Sequence, residues 1–76
     1  MKKRVFLIIS NVFDYPLEKI DEKSSPDTIE SWDSLNHMKL ILALEEEFKV
    51  EFSDDQIVDM LNVSLILCEL KAMNIH

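Results

Sequence analysis

The chain has 76 residues, of which 47% are apolar and 30% charged, which is enough apolar material for one packed core but not for a second domain. Fifteen acidic residues against eight basic ones give a net charge of −7, which disfavours nucleic acid and anionic lipid as partners and favours basic protein surfaces. A domain of this size buries about 60 to 65% of its unfolded surface and has no room for a deep catalytic cleft, so we expect a single domain over residues 1–76 that is not an enzyme.

The N-terminal segment lacks the features of a secretory signal. "MKKRVFLIIS" places a basic cluster before an apolar run, but Ser10 and Asn11 soon interrupt that run and no small-residue cleavage site follows. No apolar segment is long enough to cross a bilayer, and the lone Cys68 has no partner for an internal disulfide. These features predict a cytoplasmic protein, which we expect to be monomeric and to have no membrane-inserted part.

The first predicted helix covers residues 4–13, "RVFLIISNVF". Its β-branched content would also suit a strand, but the apolar spacing fits one broad helical face better, with Leu7 as the misfit. Pro16 disfavours helical geometry at Tyr15 and so predicts the end of this helix. The residues of the predicted inward face are Val5, Phe6, Ile8, Ile9, Val12 and Phe13.

A long loop is predicted from Asp14 to Asp33, where two prolines and a Ser-Ser-Pro-Asp cluster occur. Structureless connections of this length are uncommon in compact domains and are often functional. The apolar residues expected to anchor the loop are Leu17, Ile20, Ile29 and Trp32.

The second predicted helix covers residues 34–48 and has the clearest apolar pattern. The predicted inward arc consists of Met38, Ile41, Leu42, Leu44 and Phe48. The polar residues expected on the exposed side are Asn36, Lys39, Glu46 and Glu47.

Two further helices follow. Ser53 and Gln56 form a capping-box pattern, flanked by Phe52 and Ile57 at the positions of a hydrophobic staple, and predict a short third helix ending near Met60. The acids of "SDDQIVD" lack the alternating oxygen ligands and the glycine of a calcium loop, so we interpret them as a helix start and expect no metal. Asn62 is expected to cap a fourth helix with the inward stripe Val63, Ile66, Leu67, Leu70 and Met73. The prediction is therefore an all-α four-helix bundle with a long loop between helices 1 and 2 and a short third helix.

Ser34 is the candidate functional residue. With Asp33 as N-cap, Ser34 takes the first helical position, where an exposed hydroxyl lies among unpaired backbone N–H groups. A phosphate ester on that oxygen would be stabilised by the helix N-terminus. His37 lies one turn on, but no orienting carboxylate or oxyanion hole is indicated. Ser34 is thus either an ordinary helix-start residue or a site that carries a phosphate group.

The run "DSLNHMKLILALEEEF" resembles the acyl carrier proteins, in which Asp-Ser-Leu opens the second of four helices, and the likeness continues through "VEFSDDQIVDMLNVSLI". The resemblance implies that Ser34, flanked by Asp33 and Leu35, receives 4′-phosphopantetheine from coenzyme A through a separate, magnesium-dependent phosphopantetheinyl transferase. The thiol of that arm then carries an acyl group as a thioester. The family's bundle also shelters acyl chains, and the candidate lining residues here include Met38, Leu42 and Ile57.

The resemblance also implies partner enzymes with basic docking surfaces: the transferase, an acyltransferase or ligase, and synthases. Glu46 and Glu47 are the candidate acidic docking residues. Many fatty-acid carriers have acidic residues where this chain has Asn36 and Lys39, so the docking face has lost negative charge and gained a positive one. We therefore expect a specialised, polyketide-like pathway rather than general fatty-acid synthesis.

Two alternatives stay open, a peptidyl or aminoacyl carrier and an unmodified acidic helical adaptor. Among the other residues, Trp32 is interpreted as a loop anchor whose ring could lie beside the prosthetic arm. His37 is interpreted as a surface or boundary residue, and Cys68 as a small apolar filler.

Overall fold

Four α-helices and one short 3-10 turn form the protein in its computed structural model, which describes residues 2–73. The elements are α1 (Lys2–Phe13), the 3-10 turn (Leu17–Lys19), α2 (Ser34–Phe48), α3 (Asp54–Asp59) and α4 (Val63–Ala72). No strand occurs within residues 2–73, and none of the helices there combines the length and apolar character that a membrane span requires. The predicted all-α bundle, with its long first loop and short third helix, is confirmed.

Helix α1 packs one edge of its apolar face into the core. Val5, Ile9 and Phe13, each one turn apart, are buried, whereas Leu7 is 46% exposed, as its misfit to the pattern predicted. The helix begins two residues earlier than predicted and ends at Phe13, and the next residue, Asp14, has a φ of 51°. Asp tolerates this left-handed conformation better than most residues, so the helix ends without a glycine.

The loop between α1 and α2 is anchored by apolar side chains. Ile20, Ile29 and Trp32 are buried, as predicted. The prediction is wrong for Leu17, which is 39% exposed in the 3-10 turn. The loop therefore has three apolar anchors, and the last of them lies directly before the start of α2.

Backbone carbonyls of the same loop complete the start of α4. The N–H groups of Val63 and Ser64 donate to the carbonyls of Ser24 and Glu22, both at 3.0 Å. These N–H groups belong to the first turn of α4 and have no acceptor inside the helix. The loop thus satisfies orphan donors of α4 as well as covering the core.

Helix α2 has the predicted bounds but a different inward face. Leu40, Ile41 and Leu44 are buried, whereas Met38 and Leu42 are 44% and 60% exposed. The predicted arc is therefore wrong for Met38 and Leu42, and the true arc is rotated toward Leu40. Apolar residues lie around most of this helix, so the pattern alone did not select the buried side.

The start of α3 follows the predicted capping box. Ser53 Oγ accepts from the Gln56 N–H at 3.2 Å, and Gln56 Oε1 accepts from the Ser53 N–H at 2.8 Å. Phe52 is buried and Ile57 packs against the same core, consistent with a staple. The helix ends at Asp59, immediately before Met60.

Helix α4 is capped by Asn62, whose Oδ1 accepts from the Leu65 N–H at 2.8 Å. The predicted stripe is confirmed, since its first four residues are buried and the fifth packs against the core. Cys68 is exposed, so its interpretation as an apolar filler is wrong. It lies on the side of α4 that faces away from this stripe.

Two exposed ion pairs tie α1 to other parts of the bundle. Arg4 bonds the carboxylate of Glu47 near the end of α2, and its guanidinium lies 4.9 Å from the centroid of the Phe48 ring. Lys2 Nζ lies 2.7 Å from Glu22 Oε1, and this hydrogen bond lowers the pKa of the Glu22 carboxyl. Solvent weakens exposed pairs of this kind, so they contribute little to the stability of the bundle.

We expect added salt or magnesium to raise the thermal midpoint of the protein. A net charge of −7 on a small domain causes self-repulsion, and ions screen it over a Debye length of about 10 Å at 0.1 M. Screening also weakens the two exposed ion pairs, but their contribution is smaller. Thermal unfolding monitored by circular dichroism checks this expectation, and a thermal midpoint that stays constant or falls would contradict it.

Candidate functional site

Ser34 occupies the first position of α2, directly after its N-cap. Asp33 has extended backbone geometry, and its Oδ1 accepts from the Asn36 N–H at 2.8 Å. The Asp33 carbonyl accepts the first helical hydrogen bond from the His37 N–H, also at 2.8 Å. The N–H groups of Ser34 and Leu35 have no acceptor inside the helix. An exposed hydroxyl therefore lies at the positive end of α2 beside two free helical donor positions.

Three other serines are in different surroundings. Ser31 Oγ donates to the Phe13 carbonyl at 2.9 Å, and Ser53 Oγ caps α3. Ser24 is buried, and its hydroxyl accepts from the Asp21 N–H at 3.0 Å. Modification at any of these three would disturb an existing hydrogen bond, whereas Ser34 is open to solvent.

An open groove of about 530 Å³ begins at Ser34. Its walls come from the long loop, the first turns of α2 and the segment after α3. The lining residues are Pro26, Trp32, Asp33, Ser34, His37, Met38 and Leu61. A flexible chain attached to Ser34 would therefore have a largely apolar surface within reach.

Trp32 and His37 form a polar bridge along this groove. The indole Nε1 of Trp32 donates to His37 Nδ1 at 3.0 Å, and His37 Nε2 lies 3.0 Å from the Ile57 carbonyl oxygen in α3. The Trp32 ring also stacks on Phe13, with centroids 5.0 Å apart. The predicted anchor role of Trp32 is confirmed, and its ring lines the groove beside Ser34.

The sequence interpretation of His37 as a boundary residue agrees with its half-buried position but missed its bridging role. A buried indole N–H normally has a hydrogen-bond partner. The need for a partner of the Trp32 N–H, together with a histidine five residues further on, is the sequence signal that could have indicated the Trp32–His37 hydrogen bond. The third group of the bridge, the carbonyl of Ile57, is twenty residues from His37 in sequence.

The residues expected to line an acyl-chain shelter are only partly brought together. Met38 lines the groove, whereas Leu42 is 60% exposed and does not belong to it. Ile57 packs its side chain against the core and contributes its carbonyl to the bridge. Leu35, next to Ser34, is 67% exposed and points its apolar surface to solvent.

The candidate partner residues do not form one patch with Ser34. Lys39 and Glu46 are exposed, but Glu46 lies twelve residues after Ser34, about 18 Å along the helix axis. Glu47 is exposed and already paired with Arg4.

Asn36 departs from its expected position on the exposed side of α2. It is half-buried, because its side-chain amide donates to the Ser31 carbonyl at 2.8 Å. This bond holds the end of the long loop against the first turn of α2. Asn36 therefore has a structural role at the site.

Comparison with known proteins places this arrangement in a family. No model of a protein family matches the chain. It is 40% identical over 55 residues to an acyl carrier protein of Buchnera aphidicola subsp. Schizaphis graminum, a match that covers 72% of the chain and 70% of the relative. Acyl carrier proteins of Caulobacter vibrioides and Phenylobacterium zucineum are each 40% identical over 53 residues, which cover 70% of the chain and 68% and 67% of those relatives. The chain belongs to the acyl carrier protein family.

Proposed function

We propose that this protein is cytoplasmic and carries acyl groups as thioesters on a 4′-phosphopantetheine arm attached to Ser34. The observation that carries the proposal is an exposed hydroxyl at the first position of α2 that also borders an apolar groove. Family membership supports the acyl carrier role. The names of the relatives favour an acyl cargo over an aminoacyl or peptidyl one.

The residues around Ser34 suit a phosphate-linked group. The N–H groups of Ser34 and Leu35 and the positive end of α2 stabilise negative charge at the ester. The Asp33 carboxylate caps α2 by accepting a hydrogen bond from the Asn36 N–H. When bound, the arm supplies the terminal thiol that holds the cargo. Trp32, Met38 and Leu61 supply apolar surface of the groove within reach of this arm.

The geometry also supports a carrier that leaves chemistry to other enzymes. His37, one helical turn after Ser34, is a candidate base, but both of its ring nitrogens are engaged, one with Trp32 and one with Ile57. It therefore has no free nitrogen with which to activate the Ser34 hydroxyl. Attachment then depends on a separate, magnesium-dependent phosphopantetheinyl transferase.

The test of this function is the intact mass of the protein after incubation with coenzyme A, magnesium and a promiscuous phosphopantetheinyl transferase. We expect the mass to rise by one phosphopantetheine group. An unmodified helical adaptor, the competing interpretation, would keep its mass. Omission of the transferase is the matched control, since the chain does not load itself.

We also propose that the carrier serves a specialised, polyketide-like pathway. The supporting observation is Lys39, which is exposed on the docking side of α2, where resemblance to fatty-acid carriers implies an acidic residue. A positive charge there opposes the basic surface of a general partner and slows association. Glu46 stays available to attract a basic transferase.

We expect Lys39→Glu to speed malonyl loading by a general fatty-acid malonyltransferase. Lys3→Glu, at an exposed position on α1, is the control because it changes the net charge equally. Asn36→Asp is a poorer probe because it also removes the amide that bonds Ser31. Loading rates at two salt concentrations check the prediction. Unmodified protein that loads as fast as an ordinary fatty-acid carrier, with no gain from Lys39→Glu, would contradict it.

A further inference from the structure

We propose that His37 is a positioning residue, which fixes the groove beside Ser34 by joining α2 to the C-terminal end of α3; this inference rests on the carrier function proposed above. The groove is defined by parts that are distant in sequence. Trp32 lies before α2 and Leu61 lies after α3, with His37 between them. A single side chain thus contacts both the loop and α3.

The C-terminal end of α3 needs a partner from outside the helix. With six residues, α3 is too short to be stable on its own, and its last carbonyls lack the N–H donors, four residues further on, that a longer helix would supply. The N–H of Leu61 bonds the Asp59 carbonyl at 2.9 Å instead of reaching Ile57, and the Met60 N–H is 3.4 Å from the Ile57 oxygen. His37 Nε2, at 3.0 Å, is the closer donor position to that oxygen.

Trp32 fixes which ring nitrogen of His37 carries the proton. An indole N–H only donates, so the Nδ1 atom that it contacts at 3.0 Å must be unprotonated. The proton of the neutral ring then lies on Nε2 and is donated to Ile57. One tautomer therefore satisfies both bonds, and no buried side-chain nitrogen or oxygen within residues 2–73 lacks a partner.

Removal of His37 would uncouple the two walls of the groove. The buried indole N–H of Trp32 would lose its acceptor, and the end of α3 would lose its external donor. One hydrogen bond corresponds to roughly a fivefold change in an equilibrium, so loss of the bridge should favour states in which the Leu61 side of the groove moves away from Trp32.

The experiment attaches a probe beside the groove by chemical coupling, so that no transferase is needed. In a Ser34→Cys, Cys68→Ser background, residue 34 is alkylated with an environment-sensitive fluorophore on a short apolar linker. Three further substitutions are compared in that background. His37→Leu removes both bonds, and His37→Gln offers a carbonyl to Trp32 and an amide to Ile57. Gln56→Ala weakens α3 at its other end and leaves the bridge intact.

We expect His37→Leu to shift the emission to longer wavelength and to raise quenching by acrylamide. His37→Gln should reverse most of both changes, and Gln56→Ala should produce neither. Equal effects of His37→Leu and Gln56→Ala, or no effect of His37→Leu, would overturn the proposal. Nitrogen-15 NMR of the unmodified chain decides the matter independently if His37→Leu does not fold. The Nε2–H tautomer supports the bridge, and the Nδ1–H tautomer refutes it. Because the probe is coupled chemically, failure of the transferase to load Ser34 would refute the carrier function without affecting either readout.

Discussion

Replacement of Ser34 by alanine is expected to abolish loading with phosphopantetheine while the helical content and thermal midpoint stay close to those of the unmodified chain. The hydroxyl is exposed, and the cap of α2 is supplied by Asp33 rather than by Ser34. Alanine is also a good helix former at this position. Intact mass after treatment with transferase checks the first part, and circular dichroism checks the second.

Ser31→Ala and Ser53→Ala are the matched controls, and both should still load. Ser31→Ala loses the bond to the Phe13 carbonyl. Ser53→Ala loses the α3 cap, at a cost of about 1 kcal/mol in stability. Added mass that persists in Ser34→Ala, or that disappears in Ser31→Ala without unfolding, would show that the arm is attached elsewhere.

Truncation of Leu40 to alanine is expected to lower the free energy of unfolding by about 3 kcal/mol, because its side chain is fully buried and leaves a cavity. A domain of this size has a total stability of roughly 4 to 11 kcal/mol, so the loss is a large share. Leu42→Ala, two residues away, should change stability by no more than about 0.5 kcal/mol because Leu42 is 60% exposed.

Urea denaturation of the two variants measures this difference directly. The pair is matched in chemistry and in position on α2, so the difference reports which side of the helix is buried. If Leu42→Ala were as destabilising as Leu40→Ala, α2 would be rotated toward the arc that the apolar pattern favoured. Met38→Ala, at 44% exposure, should give an intermediate or small effect.

The starts of α2, α3 and α4 could be predicted from the sequence because their signals are local. Asp33, Ser53 with Gln56, and Asn62 each cap the helix that they were expected to cap. A cap depends on residues within one turn of each other, so it needs no knowledge of the tertiary fold. The rotation of α2 could not be predicted in the same way, since Leu40 and Leu42 are equally apolar and only packing against other helices distinguishes them.

The candidate site also has a part that depends on local sequence and a part that depends on the tertiary fold. The position of Ser34 follows from its local sequence, and the structure places it on the surface as expected. The groove does not follow, because Trp32 and Leu61 come to line the same groove only in the folded chain. Cys68 shows the limit for a single residue, since its apolar character did not determine which side of α4 it occupies.

The measurement that tests the central claim most directly is the position of the added mass in the unmodified chain. After loading from coenzyme A by a promiscuous transferase, the protein is digested and the peptide containing Ser31 and Ser34 is fragmented in a mass spectrometer. Attachment at Ser34 predicts that every fragment that includes this residue carries one phosphopantetheine group, and that fragments ending before it carry none. An unmodified peptide, or a group located on Ser31 or another residue, would contradict the claim that Ser34 carries the arm.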